Sequence, residues 1–219
     1  MHRRHRRRRP SRTGIRVLPL TSSRRFERLA GIIRDEQNGP VTLGGYSMGG
    51  RLALGLALRH PELTRRLVLV SARRGLDDEH ERAARRDSDE RWAQLVETNG
   101  MDHFLKRWWE APLFSSLGQV PKERLDAERF RRMSLSAAGV AWALRHLGLG
   151  CQPSYAREIS GFQVPTTLIV GERDTKFHAL NTELARQLPR ARLLVVKDRG
   201  HSLPLEAPEA VGRAIAEED

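Results

Sequence analysis

A serine set among four glycines, between a short apolar run and a helical one, constrains this chain more than any other feature. The segment is LGGYSMGGRLAL, residues 43–54. Glycine and serine are poor formers of helix and strand, so the cluster interrupts two regular elements without a linker between them. Gly45, Tyr46, Ser47, Met48 and Gly49 fit the pattern G-x-S-x-G. Between a strand and a helix, this pattern folds as a sharp, strained turn that lifts the serine hydroxyl above the end of a sheet. The following helix offers unpaired backbone N–H groups and the positive end of its dipole. That suits a developing oxyanion, with the Met48 N–H as the first donor.

The flanks supply the context. VTLGGY, residues 41–46, reads as a buried strand, and residues 51–60 read as a helix stopped by Pro61. RLVLVSA, residues 66–72, is a continuous apolar strand of the kind buried on both faces. Strand, helix and strand at this spacing make a βαβ unit and imply a parallel sheet. Upstream, Ser22 or Ser23 caps a predicted helix over residues 24–36, with Phe26, Leu29, Ile32 and Ile33 on one face, and NGP at residues 38–40 breaks it. Residues 73–162 hold three or four amphipathic helical segments and no strand. The βα rhythm then returns, with strands over residues 166–171 and 192–197 and helices over residues 178–188 and 205–216. The expected fold class is α/β, a mostly parallel sheet with an inserted helical cap. Residues 22–72 and 163–219 form the expected core and residues 73–162 the cap.

The formal charge is +12, but residues 1–34 hold twelve arginines and one glutamate and so account for +11 of it. The basicity belongs to an arm, residues 1–21, expected to be disordered apart from one candidate strand, IRVLPL at residues 15–20. Such an arm contacts polyanions without specificity, and the nearly neutral remainder gives no other reason to expect nucleic acid as a partner. Read-through of GC-rich upstream DNA would give the same composition. No apolar run is long enough to span a bilayer, and no apolar segment follows the basic start as in a secretory signal. The single cysteine, Cys151, excludes an internal disulfide and fits a reducing, cytoplasmic setting, where it reads as a small hydrophobe. No metal-ligand spacing and no phosphate-cradling loop is present, so neither metal nor organic cofactor is expected.

A serine nucleophile or base needs an imidazole, and the imidazole needs an acid to orient it. In this architecture they follow in the order Ser, Asp or Glu, His. Asp174 lies in GERD, just after the strand at residues 166–171, and His201 lies in DRGHSLPLE, just after the strand at residues 192–197. With Ser47, all three emerge at the C-terminal ends of strands, where parallel sheets build their sites. Glu172, two residues before Asp174, is the rival acid.

From about Phe26 onward the chain resembles the α/β-hydrolase superfamily. More narrowly, it is similar to the 2-succinyl-6-hydroxy-2,4-cyclohexadiene-1-carboxylate synthase family, which eliminates pyruvate in menaquinone biosynthesis. The resemblance rests on GYSMGGRLAL, ERAARRDSDERW (residues 81–92), WWEAPLFSSL (108–117), LGLGCQPS (147–154) and GERDTKF (171–177). It implies a lyase acting on a succinyl-cyclohexene polycarboxylate, with Ser47, Asp174 and His201 as the catalytic set and His201 keeping Ser47 ready to act as base. Tyr46 and Arg51 would flank the serine, and Arg85, Trp108 and Arg132 would face the substrate from the cap. Arginine suits a polycarboxylate because its fork is permanently charged and binds bidentately. Two other readings stand beside it: a serine hydrolase of esters or carbon–carbon bonds, and an inactive fragment whose arm binds polyanions. The chain departs from the superfamily upstream of Ser47. No His-Gly dipeptide precedes the elbow, so the second oxyanion donor and half of the sheet are expected to be missing, as in an N-terminally truncated chain.

Overall fold

A computed structural model describes residues 23–37 and 39–217. The basic arm, the candidate strand at residues 15–20, Ser22 and Asn38 lie outside the described residues.

Four strands form one parallel sheet in the order β1 (Val41–Tyr46), β2 (Thr64–Val70), β3 (Thr166–Gly171), β4 (Ala191–Val196). β2 and β3 occupy the middle and read as continuous apolar runs because both of their faces are covered. On one face, Leu67, Leu69 and Leu168 pack with Leu54 and Ala57 of α2 (Met48–Arg59) and Leu184 of α6 (Thr175–Gln187). On the other, Val68, Val70 and Ile169 pack with Leu203 of α7 (Leu203–Glu206) and with Ala207 and Ala214 at α8 (Pro208–Ala216). The first helix, α1 (Ser23–Glu36), lays Phe26 and Ala30 on Leu56 and Leu63. Among the described residues β1 pairs with β2 alone and is an edge strand. β2 opens with three polar residues, of which Arg66 is the buried charge; it donates to the carbonyls of Ala214 (3.0 Å) and Ile215 (2.6 Å). A cation there meets the negative end of α8.

Between β2 and β3 runs a helical block with its own apolar centre. It comprises α3 (Glu79–Trp109), a 3-10 strap (Pro112–Gln119), α4 (Lys122–Met133) and α5 (Ala137–Leu147). Ala93, Val96, Phe104 and Leu105 of α3 pack on Ala141 and Leu144 of α5. Asp78 caps α3 by accepting the Glu81 N–H at 2.8 Å. Gly100, at φ 77°, breaks the helix into two arms.

Boundaries depart from the sequence reading at β2, which runs Thr64–Val70 rather than over residues 66–72, at β4, which runs Ala191–Val196 rather than over residues 192–197, and at three helices. α2 starts at Met48 rather than residue 51. Its glycines are needed because helix and strand touch: a Cβ on Gly45 would strike the Gly49–Gly50 backbone, and one on Gly50 would come 2.6 Å from the Ala72 Cβ. α6 starts at Thr175 rather than residue 178, because Asp174 caps it by accepting the Phe177 N–H. The last helix is two helices. Ala207 leaves helical geometry at φ −151°, ψ 60°, because the following Pro208 disfavours helical backbone before it.

Candidate active site

Ser47 joins β1 to α2 at φ 49°, ψ −109°, a conformation that L side chains avoid. The surroundings hold it there. Its N–H donates to the Val70 carbonyl at 2.8 Å, extending the sheet by one residue, and its carbonyl accepts the Arg51 N–H in the first turn of α2. The hydroxyl is left free to meet an imidazole, with Oγ 3.2 Å from His201 Nε2. His201 Nδ1 lies 2.6 Å from Asp174 Oδ2. Both His201 and Asp174 are buried. The other acid after β3 goes elsewhere, since Glu172 Oε2 accepts the Asp198 N–H. Asp174 divides its carboxylate between the α6 cap on Oδ1 and the imidazole on Oδ2, so one helix terminus fixes the acid that fixes the histidine.

The His201 ring is packed on three sides, by Phe177 at 4.5 Å, Tyr46 at 5.3 Å and Phe114 at 6.0 Å between centroids. Its loop is held by a residue that the sequence reading overlooked. Glu206 of α7 accepts the Gly200 N–H (2.5 Å), the Ser202 N–H (2.9 Å) and the Ser116 hydroxyl of the strap (2.9 Å). The usable signal was an acid one helical turn past a loop whose N–H groups point outward, where helix starts place a reaching-back carboxylate.

Ser47 and His201 open into a cavity of about 630 Å³ between the sheet's C-terminal end and the helical block. Arg51, Arg85 and Trp108 also line it. Arg51 is buried, and one terminal nitrogen donates to Gln152 Oε1 (2.8 Å) and the Leu147 carbonyl (3.2 Å). Burial, then the like charge of Arg85, lowers its pKa to about 10, which leaves it a cation at neutral pH. Arg85 Nε donates to Asp89 Oδ1 at 2.8 Å. Burial pushes the Asp89 carboxyl above its ordinary range, against the pull of Arg85. Asp89 Oδ2 has no partner among the described residues. Trp108 stacks on Phe104 at 5.4 Å and stands edge-on to Trp92 at 5.0 Å, which fixes an apolar wall.

Three candidates, Tyr46, Arg132 and Met48, sit outside the lining. The Tyr46 hydroxyl lies 3.3 Å from Ser202 Oγ, and burial pushes its pKa up to about 12, so it stays protonated. Arg132 Nε donates to Glu128 Oε1 at 2.5 Å, and its charge acts on Tyr46 against that rise. The Met48 N–H begins α2, where helix N–H groups have no intrahelical acceptor. Cys151 is exposed and lies on the Arg145 carbonyl.

The sequence profile of the alpha/beta hydrolase family matches residues 3–214. The chain belongs to the alpha/beta hydrolase family. Within it, the chain belongs with the 2-succinyl-6-hydroxy-2,4-cyclohexadiene-1-carboxylate synthases. A Bacillus subtilis (strain 168) protein named "Putative 2-succinyl-6-hydroxy-2,4-cyclohexadiene-1-carboxylate synthase" is 35% identical over 90% of this chain and 72% of its own. The synthase of that name from Enterobacter sp. (strain 638) is 31% identical over 80% of this chain, which spans 65% of the relative's length. The solved structure of MenH from S. aureus superposes with a TM-score of 0.83 at 27% identity, covering 92% of this chain and 77% of that one. Among alpha/beta hydrolases the fold is thus as expected, and the chain sits in an enzyme superfamily. Among the described residues no helix is long and apolar enough to cross a membrane.

Proposed function

We propose that this protein is a carbon–oxygen lyase of menaquinone biosynthesis, which eliminates pyruvate from a succinyl-cyclohexene polycarboxylate. One observation carries the reading: the Ser47–His201–Asp174 chain of contacts opens into the same cavity as the guanidinium groups of Arg51 and Arg85. The names of the 31–35% identical relatives point the same way.

In this mechanism His201 takes the Ser47 hydroxyl proton and Asp174 holds the imidazole in the tautomer that can accept it. The Ser47 oxygen removes the proton from the substrate carbon next to a carbonyl. The electron pair shifts into the ring, the bond between the ring carbon and the oxygen of the pyruvyl group breaks, and pyruvate leaves as its enolate, which takes the proton held on His201 and so restores the neutral imidazole. Negative charge developing on the carbonyl oxygen is met by the Met48 N–H and the dipole of α2. Arg51 and Arg85 bind carboxylates, Trp108 covers the ring, Tyr46 backs the histidine, and the block over residues 73–162 serves as a cap; Arg132, paired with Glu128 outside the cavity lining, bears on the site only through its charge on Tyr46. The small-molecule polycarboxylate is the partner, and a cytoplasmic setting suits a chain with a single cysteine.

The test supplies the polycarboxylate and follows pyruvate. The native protein is expected to release it, and Ser47→Ala to lose activity by about 10³-fold, the usual size of a lost general base. Rapid turnover of simple aryl esters with no pyruvate would replace this reading by the hydrolase one. No turnover of either, with the fold intact, would leave the inactive fragment.

A further inference from the structure

Arg73 follows the C-terminal end of β2 by three residues and lines the cavity that contains Ser47 and His201. It is half-buried. Its Nε donates to the Gly75 carbonyl at 3.0 Å, which pins the root of the guanidinium and leaves the two terminal nitrogens for another acceptor. Among the described residues Arg73 forms no ion pair. The acids whose charge reaches it are Glu81 and Asp77, and Asp77 accepts from both terminal nitrogens of Arg74 at 2.7 Å. Arg85 and Arg51 line the same cavity, and the three guanidinium groups repel one another. Asp89 answers one of them, through Arg85 Nε. A wall with this surplus of fixed cations is built for an anion with more than one charge, because each guanidinium fork seats one carboxylate.

We propose that Arg73 is a specificity-determining residue of this cavity: its terminal nitrogens receive a ligand carboxylate beside the one seated on Arg85, so that the cavity selects dicarboxylates over monocarboxylates. The proposal rests on the polycarboxylate reading of the site and adds to it the residue that counts the charges. Arg73 is distinct from the residues assigned above by resemblance, and its position is set by β2 and by the Gly75 turn rather than by the helical block.

Binding of adipate and of hexanoate to the full chain, measured by calorimetric titration, tests it without any turnover. The two probes share chain length and differ by one carboxylate. The native protein is expected to bind adipate at least about tenfold more tightly, and Arg73→Gln to lose that preference while its hexanoate affinity stays within about twofold. Arg73→Lys, which keeps the charge without the fork, is expected to fall between them and serves where the glutamine variant does not fold. Equal binding of both probes by the native protein overturns the proposal, and so does an unchanged adipate preference in either folded variant. The two readings fail separately. An Arg73-dependent preference without pyruvate release sinks only the lyase reading, and pyruvate release with an unchanged KM in Arg73→Gln sinks only this one.

Discussion

Ser47 is held at a φ of 49° in which its Cβ crowds the backbone, and such residues store about 1–3 kcal/mol. The strain aims the hydroxyl, so removing the side chain in two ways separates strain from chemistry. Ser47→Ala keeps the Cβ and the strain, whereas Ser47→Gly keeps neither. Both are expected to be inactive. Ser47→Gly is nevertheless expected to be more stable than Ser47→Ala by about 1 kcal/mol, the relief being partly offset by the added freedom of glycine in the unfolded chain. Denaturant midpoints of the two variants check this, and an alanine variant at least as stable as the glycine one would refute the strain account. At this scale the meeting of Ser47, Asp174 and His201 was legible because each follows a strand. Asp174 was preferred there over Glu172, and His201 lies on Asp174. Two carboxylates two residues apart have the same chemistry, and only the turn into α6 decides which one faces the imidazole. Arg73 was illegible: in a chain with 39 basic residues, no local pattern tells a cavity arginine from a solvated one.

α7 is four residues long, yet it joins the histidine loop to the strap that roofs the cavity. Strands were legible as elements, since β1 and β3 were read to the residue: β3 is buried along its whole length and writes itself as an apolar run, whereas β1, an edge strand only partly buried, was legible from its short apolar start and the glycines that end it. Helix starts were less legible because they depend on tertiary contacts, the glycine packing at Met48 and the Asp174 cap at Thr175. A carboxylate that accepts three donors across two elements leaves no periodic trace at all. Glu206→Gln tests what that carboxylate does. An amide offers one acceptor oxygen and one donor group, so it faces either the Gly200 N–H or the pair from Ser202 and Ser116 with another donor. The expected cost in stability is about 1–3 kcal/mol for the unsatisfied donor. Kinetically, kcat is expected to fall by about tenfold or more with KM within about twofold, because Glu206 places the histidine and touches no substrate. A matching rise in KM, or a stability loss with kcat unchanged, would show a scaffold role only.

Core and helical block meet where the chain leaves the sheet after β2 and where it returns before β3. That junction is tied electrostatically. Arg74 clasps Asp77 with two bonds of 2.7 Å and donates to Ser154 Oγ at 3.2 Å, Ser154 also bonds Asp77, and the Tyr155 N–H donates to the Arg74 carbonyl. Gly75, at φ 129°, lies against Pro153 and Ser154, where a Cβ would come 2.8 Å from their backbone. The inserted block was legible as a loss of the βα rhythm, but not how it is fastened, because Asp77 and Ser154 are far apart in sequence. The Arg74 hydrogen bonds first, then Ser154, hold the Asp77 carboxyl down to about 2. A carboxylate with a depressed folded-state pKa stabilises the fold above its ordinary value near 4, and that stabilisation drains away as pH falls through the folded value near 2. Because Asp77 is half-exposed, water screens the clasp, and its contribution at neutral pH is at most about 1 kcal/mol. Asp77→Asn is therefore expected to unfold at a slightly lower denaturant concentration than the native chain at pH 7. The gap should stay constant down to about pH 4 and close between pH 4 and 2, where the native carboxyl takes up its proton and the two side chains become electrically alike. Denaturation series across that window measure the gap directly, and one that persists unchanged at pH 2 would mean that Asp77 acts through its shape rather than its charge.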